Sequence, residues 1–174
     1  MERSQSNETV VSSGLVPNEP GSSGGRPMTL SFDGPILVPV ATPEDGERTA
    51  AALAPYLADS SRAIVVNVIE KAGGAPDKAG VEQREEYAEE IFDRARGPLE
   101  ATDATVETAI LYGTDVVERI FAEAEDREVD AVVFAARKGN RLAELLTGDV
   151  ARRLVKEASV PVVALPLESA QQES

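Results

Sequence analysis

The sequence lacks three residue types that carry much of protein chemistry. Its 174 residues include no Cys, no His and no Trp, and aromatic residues make up only 4%. Without Cys, disulfide bonds and thiolate catalysis are excluded. Without His, the chain has no Ser–His–Asp triad and lacks the most frequent general base and the most frequent ligand of zinc or copper. The hydrophobic core must therefore be built from Val, Leu, Ile and Ala.

Basic residues are scarce as well. The chain has 17 Lys and Arg against 31 Asp and Glu, which gives a net charge of −14 at pH 7. This charge argues against sequence-independent binding to nucleic acids and against binding to anionic membrane surfaces. Arg outnumbers Lys by 13 to 4. Acidic chains with little Lys are typical of proteins that work in concentrated salt, although an ordinary acidic protein has the same composition.

No segment of the sequence has the pattern of a membrane span or a signal peptide. The longest apolar runs, such as residues 131–136, are far shorter than the roughly 18 residues that a spanning helix requires. The N-terminus has no basic stretch followed by an apolar one. We therefore expect a cytoplasmic protein without membrane insertion.

The chain divides into a tail, one domain and a polar end. Residues 1–33 are rich in Ser, Gly, Pro, Asn and Glu, and they are predicted to be a disordered tail. Residues 34–167 contain the apolar patterns of a single folded domain. Residues 168–174 are polar and are predicted to be a disordered end.

Short apolar runs alternate with helical patterns throughout the domain. Helical spacing is found in 44–59, 81–96, the segment after Thr114, and 150–158. The predicted strands are 36–42, 63–69, 105–111, 131–136 and 160–167. We expect Pro55 to kink the first helix, Gly97–Pro98 to end the second, and Thr114 to cap the third.

The alternation predicts an α/β fold, a three-layer, doubly wound, five-stranded parallel sheet with helices on both faces. The third strand alternates more than the others, which suits an edge, and the fully apolar fourth strand is predicted to be central. Ligands of such sheets bind beyond the carboxyl ends of the strands, where the strand order reverses. The loop after the fourth strand is therefore the natural place for a binding site.

Two motifs in this arrangement resemble the universal stress protein family. "ILVPVAT" (36–42) is similar to the opening strand of the family, and "LLTGDVARRLVKEASVPVVAL" (145–165) is similar to its closing block. The resemblance covers Pro35 to Leu167. It implies the strand order 3-2-1-4-5 and dimers that pair through the last strand. It also implies ATP binding in those members that carry a particular motif.

This sequence departs from that motif at most positions. ATP-binding members have an Asp at the end of the first strand, followed after the fourth strand by Gly-x-x-Gly-x9-Gly-Ser/Thr. The Asp corresponds to Ala41, which has no side-chain acceptor. The glycines correspond to Ala135, Lys138 and Gly148, and the hydroxyl residue corresponds to Asp149, so that only Gly148 is retained. The resemblance therefore implies a member that does not bind ATP in the standard way.

The charges of the loop allow two interpretations. Asp149 is well placed to cap the following helix through the amides of residues 151 or 152, and its charge would repel a phosphate at 4 Å by about 4 kcal/mol. Arg137, Lys138 and Arg141 could instead hold an anion by their side chains, or they could pair with nearby acids. The candidate nucleotide or anion crevice consists of Ala41, Thr42, Arg137, Lys138, Gly139, Arg141, Gly148 and Asp149.

The remaining motifs predict no cofactor and no catalytic group. The carboxylates of residues 82–90 are predicted to form a solvated helix face and not a metal site. The last strand carries Val162, Val163, Ala164 and Leu165, which as an exposed edge would favour pairing with a second copy, although its two flanking prolines could also protect a lone edge.

The predicted function is that of a non-catalytic, dimeric regulator in a stress response, with an unknown protein partner such as a transporter. The alternative is a divergent member that binds ATP or AMP through Arg137, Lys138 and Arg141 and hydrolyses ATP slowly at most.

Overall fold

The residues that the structure describes form one sheet of five parallel strands. The computed structural model describes residues 30–71, 78–136 and 149–166. The strands are β1 (Pro35–Pro39), β2 (Arg62–Glu70), β3 (Thr105–Gly113), β4 (Ala131–Ala136) and β5 (Val162–Pro166). Their order in the sheet is β3-β2-β1-β4-β5, which confirms the predicted fold class and strand order.

The middle of the sheet is formed by the most apolar strands. In β1, Leu37 lies opposite Ile64 of β2 and Val132 of β4, and all three side chains are fully buried. The strand order puts β3 at an edge, as predicted, and gives the central position to β1 instead of β4. Strands that are buried on both faces can be apolar at every position, so the sequence of β4 was equally compatible with its place next to the centre.

Within the described ranges, four α-helices cover the two faces of this sheet. Helices α1 (Pro43–Leu53) and α2 (Lys78–Glu100) pack on one face, and α3 (Val116–Asp126) and α4 (Asp149–Lys156) pack on the other. Along each strand, successive side chains point alternately to the two helix layers. Val65 and Val133 pack against the α1 and α2 layer, whereas Ile64 and Val132 pack against the α3 and α4 layer. Two hydrophobic cores, each with two buried Phe side chains among its aliphatic residues, therefore lie back to back across the sheet.

The first two helix ends differ from the prediction. Pro55 does not kink α1, because the α-helix ends at Leu53 and Pro55 lies in a 3-10 turn over Ala54–Tyr56. By contrast, α2 is longer than predicted, because it continues through Gly97 and Pro98 to Glu100. Leu99 is fully buried in the first core, which favours this extra turn although Pro98 lacks an amide donor.

The cap of α3 lies one residue later than predicted. Asp115, and not Thr114, is the N-cap, and its carboxylate accepts a hydrogen bond from the Glu118 amide at 3.0 Å. Both residue types favour this position, so the sequence alone could not separate the two neighbours.

The domain also includes Phe32, which the sequence analysis assigned to the tail. Phe32 is buried in the first core and pairs with Leu57, and its amide donates to the carbonyl of Tyr56 at 2.9 Å. Among the described helices, none is long and apolar enough to cross a membrane.

Candidate functional site

An open cleft lies at the carboxyl ends of β1 and β2, beside the end of β3. Its volume is about 560 Å³, and it is lined by Ala41, by residues 67–71, by Arg84 and Tyr87 of α2, and by Thr114. Pockets of roughly 300–1,000 Å³ at this edge of a parallel sheet are the usual places for small ligands. The cleft is the candidate functional site.

The β1 corner of the cleft is held by the cap of α1. Thr42 is the N-cap, and its hydroxyl accepts from the Asp45 amide at 3.1 Å. The Asp45 carboxylate in turn accepts from the amide of Ala41 at 3.0 Å. The amide of Ala41 is therefore engaged, and its side chain is a methyl group without a hydrogen-bond acceptor. The nearby carboxylate of Asp45 is buried and serves to fix the turn.

Asn67 joins β1 and β2 below the cleft. Its Nδ2 donates to the carbonyl of Val40 at 2.8 Å, and the Val40 amide donates to the carbonyl of Val66 at 2.9 Å. Asn67 is buried, so this hydrogen bond satisfies a polar group that would otherwise be costly to bury. The two strand ends therefore stay together past the last residue of β1.

Two cations, Lys71 and Arg84, line the far end of the cleft. The Lys71 ammonium lies 5.5 Å from the centre of the Tyr112 ring, and the Tyr112 hydroxyl donates to the Glu85 carboxylate. That hydrogen bond, together with burial and the negative charge of Glu85, raises the pKa of the Tyr112 phenol. Arg84 donates from Nη1 to the carbonyl of Glu70 at 3.0 Å. Lys71 and Arg84 are thus positioned by neutral groups of the protein.

The second face of the sheet carries an ion-pair link beside the cleft. Arg153 of α4 binds Asp115 at 2.9 Å and also binds Glu157. The hydrogen bond from the Glu118 amide and the one from Arg153 lower the pKa of Asp115. Because Asp115 is the N-cap of α3, this contact ties α4 to the start of α3. Thr114, which precedes Asp115, lines the cleft.

The predicted crevice residues divide into two groups. Arg137, Lys138, Gly139, Arg141 and Gly148 lie outside the described residues. Of the others, Ala41 lines the cleft and Thr42 caps α1.

Asp149 lies at the start of α4 with 79% of its side chain exposed. Its described contact is an ion pair with the Arg152 guanidinium and not a cap on an amide. A short exposed helix end leaves this carboxylate free to reach the nearest cation instead of its own backbone.

The cleft residues Lys71 and Arg84 were missed by the sequence analysis. Lys71 directly follows a buried strand, which is a position that points to the ligand edge of the sheet. The sequence alone puts Arg84 within an acidic helix face. Its position at the cleft depends on the angle at which α2 crosses the sheet, and no local pattern gives that angle.

The residues of β5 are exposed to different degrees. Val162 and Val163 are half-buried, Ala164 is exposed, and Leu165 is buried in the first core of its own chain. In the described sheet β5 pairs with β4 alone, so one side of its backbone faces outward. The described residues contain no group of three or more acidic side chains that could hold a metal ion.

Comparisons with known proteins agree with the fold. Residues 34–166 match the model of the universal stress protein family. The fold is similar to that of UspA from Lactobacillus plantarum, with 22% identity, a TM-score of 0.56, and coverage of 78% of this chain and 99% of that one. It is also similar to the universal stress protein from Archaeoglobus fulgidus in complex with dAMP, with 20% identity, a TM-score of 0.54 and coverage of 79% and 99%.

A universal stress protein in complex with cAMP has 18% identity and a TM-score of 0.52, over 75% of this chain and 96% of that one. No curated protein sequence matches the chain. Because the family model covers most of the chain, from the residue before β1 to the end of β5, the chain belongs to the universal stress protein family.

Proposed function

We propose that this protein is a non-catalytic regulator in a stress response that does not bind ATP in the standard way. The single observation that carries the proposal is the β1 corner of the cleft. There Ala41 offers a methyl group where ATP-binding members of the family have a carboxylate. The nearest buried carboxylate, that of Asp45, is tied to the Ala41 amide. A purine at this corner would find no side-chain acceptor at position 41.

Calorimetry with the full chain tests this proposal. ATP, AMP and cyclic nucleotides are titrated into protein purified at high salt, and the purified sample is analysed for co-purified nucleotide. We expect no saturable heat up to about millimolar ligand, which corresponds to less than about 4 kcal/mol of binding free energy. An Ala41→Asp variant is the matched comparison, because it restores the carboxylate. Micromolar ATP binding by the unaltered chain would refute the proposal.

The alternative function is nucleotide binding through the loop cations Arg137, Lys138 and Arg141. It is supported by the relatives solved with dAMP and cAMP, which share this fold. Nucleotide binding that is lost in an Arg137→Ala/Lys138→Ala variant would establish this function. Slow ATP hydrolysis in the same sample would add a catalytic role, and a phosphate release assay measures it.

We also propose that the protein acts as a homodimer through β5, in the cytoplasm and together with a protein partner such as a transporter. The open backbone edge of β5 and the exposed Ala164 support the dimer. Light scattering should give the mass of a monomer for Val163→Asp and for Ala164→Asp. Because Val163 also packs on the first core, the exposed Ala164 position separates dimer loss from unfolding. Ala101→Asp, in the exposed turn after α2, is the control and should remain a dimer.

A further inference from the structure

Two basic side chains line the cleft, and neither is paired with a carboxylate that the structure describes. Arg84 and Lys71 make no ion pair among the described residues. Arg48 and Lys156, which lie outside the cleft, make none among them either, so the distinguishing feature of Lys71 and Arg84 is that they share one pocket. The described arginines that do pair with a carboxylate are Arg62, Arg94, Arg96, Arg119, Arg127, Arg152 and Arg153.

Both cleft cations are held in place by uncharged groups, so that, within the described part of the chain, no bound carboxylate neutralises either of them. The Lys71 amide donates to the carbonyl of Gly113 at 2.8 Å, and its ammonium lies against the Tyr112 ring. The Glu85 carboxylate accepts from the Tyr112 hydroxyl, which gives this acid a neutral partner. The guanidinium of Arg84 is anchored by one backbone carbonyl and keeps further N–H donors. Such fixed cations lose little side-chain freedom when an anion binds.

The lining of the cleft fits a ligand with one charged end. The described lining of the cleft contains one carboxylate, that of Glu70, and two cations, so its net charge is positive. Ala41, Val68 and Ile69 supply apolar surface from the strand ends, and Tyr87 adds a half-exposed ring from α2. The volume of about 560 Å³ suits a small organic molecule and exceeds that of an inorganic ion.

We propose that this cleft binds a small organic anion, whose carboxylate or phosphate group lies between Lys71 and Arg84 while its apolar body lies on the strand ends. This goes beyond the proposed function, because the site needs neither ATP nor the loop of residues 137–148. Charge-assisted hydrogen bonds from the two cations supply the recognition.

Phenyl phosphate is the probe, and phenol, which has the same ring without the charge, is the matched neutral compound. Calorimetry with the full chain should give saturable binding of phenyl phosphate and much weaker binding of phenol. Lys71→Gln and Arg84→Gln should each weaken phenyl phosphate binding by about tenfold, since each removes a charged donor. Lys156→Gln removes an exposed cation of α4 and should leave the affinity unchanged.

A second variant should act in the opposite direction. Glu70→Gln removes the competing negative charge and should tighten phenyl phosphate binding by about threefold, as expected for a like charge several ångströms away in a wet site. A purely structural role of Glu70 would weaken binding. Circular dichroism of each variant checks that the fold is kept, and all four positions are exposed.

Three results would overturn the proposal. One is the absence of saturable phenyl phosphate binding at about 10 mM. Another is an equal loss of affinity in Lys156→Gln. The third is binding that survives in Lys71→Gln and Arg84→Gln but disappears in Arg137→Ala/Lys138→Ala, which would assign the anion to the loop. None of these depends on whether ATP binds, so this proposal and the proposed function fail separately.

Discussion

The two faces of the sheet are held by different interactions. On the first face α1 and α2 lie so close that a Cβ added to Gly46 would stand 2.9 Å from the carbonyl oxygen of Ile91. On the second face ion pairs join the elements. Arg127, the C-cap of α3, reaches Glu107 of β3, and Arg153 of α4 reaches Asp115. Close packing involves no charges that salt could screen, whereas exposed ion pairs are weakened by screening.

The difference bears on the cleft, which α2 of the first face lines with Arg84 and Tyr87. Packing between α1 and α2 needs no charged partner, and the ion pair that does link them, Arg94 with Glu47, is more than half exposed on both sides. On the first face Arg84 of α2 therefore remains available for a ligand, whereas on the second face Arg127 and Arg153 are engaged in ion pairs that join elements. Substitutions that enlarge a side chain should lower the free energy of unfolding most on the first face. Substitutions that remove a charge should lower it most on the second face.

The largest effect is expected from Gly46→Val. The new side chain would collide with the backbone of α2, which cannot move away as the end of a flexible side chain could. We expect the free energy of unfolding to fall by about 3 kcal/mol, as for overpacking in a core. Gly97→Val is the matched control, because a Cβ at Gly97 meets nothing within 4 Å. Urea denaturation measures both, and equal effects would contradict the close approach of the two helices.

A smaller loss is expected from Glu123→Gln on the second face. The side chain of Glu123 is only 10% exposed, and it accepts from Arg119 at 2.7 Å and from Arg127. Removing its charge should lower the free energy of unfolding by about 2 kcal/mol, the value of a hydrogen bond to a charged group. Glu125→Gln changes an exposed residue of the same helix and should have little effect. Urea denaturation near neutral pH gives the comparison.

The same carboxylate predicts a dependence on pH. Burial alone would raise the pKa of Glu123, but hydrogen bonds from Arg127 and Arg119 outweigh it, and the pKa lies below its usual value of 4.5. Because the folded state favours the ionised form, the stabilisation is present above pH 4.5 and is lost as the pH falls through the lowered pKa. The difference between wild type and Glu123→Gln should therefore shrink on acidification. A difference that stays constant down to about pH 3 would contradict this origin.

Asp115→Ala should have a still smaller effect. The substitution removes the N-cap of α3 and the partner of Arg153 together. We expect a loss of about 1 kcal/mol in the free energy of unfolding, which is typical of a cap. Asp115→Asn keeps the cap acceptor and loses only the charge, so it should be less damaging. If thermal unfolding shows both variants to be equally destabilised, the ion pair and not the cap is the main contribution.

Sequence reasoning predicted the architecture because apolar runs and helical spacing carry it directly. The order of the strands followed from the resemblance, and the bounds of β4 agree with the predicted residues. Helix ends were predicted less well. At Gly97–Pro98 a local stop signal was opposed by the burial of Leu99 in the first core, and burial was stronger. No pattern within the helix shows that the next layer of the protein will bury its last turn.

The candidate site was predicted only in part, for a related reason. The family motif directed attention to Ala41 and to the loop after β4, and Ala41 does line the cleft. Lys71 and Arg84 are 13 residues apart and come together only because α2 crosses back over the end of β2. That neither side chain forms an ion pair among the described residues can be seen only in the folded structure, because the fold sets the distance from each cation to each carboxylate.

The smallest effect is expected from Arg152→Ala. Arg152 and Asp149 are 73% and 79% exposed, so their ion pair is weakened by water and should leave the melting temperature unchanged. Arg153→Ala, one residue further along α4, should lower the melting temperature detectably, because Arg153 links α4 to the cap of α3. That loss should fade when salt is raised to molar concentration. Equal melting temperatures for the two variants at low salt would show that ion pairs do not hold the second face, and the contrast with the first face would then rest on Glu123 alone.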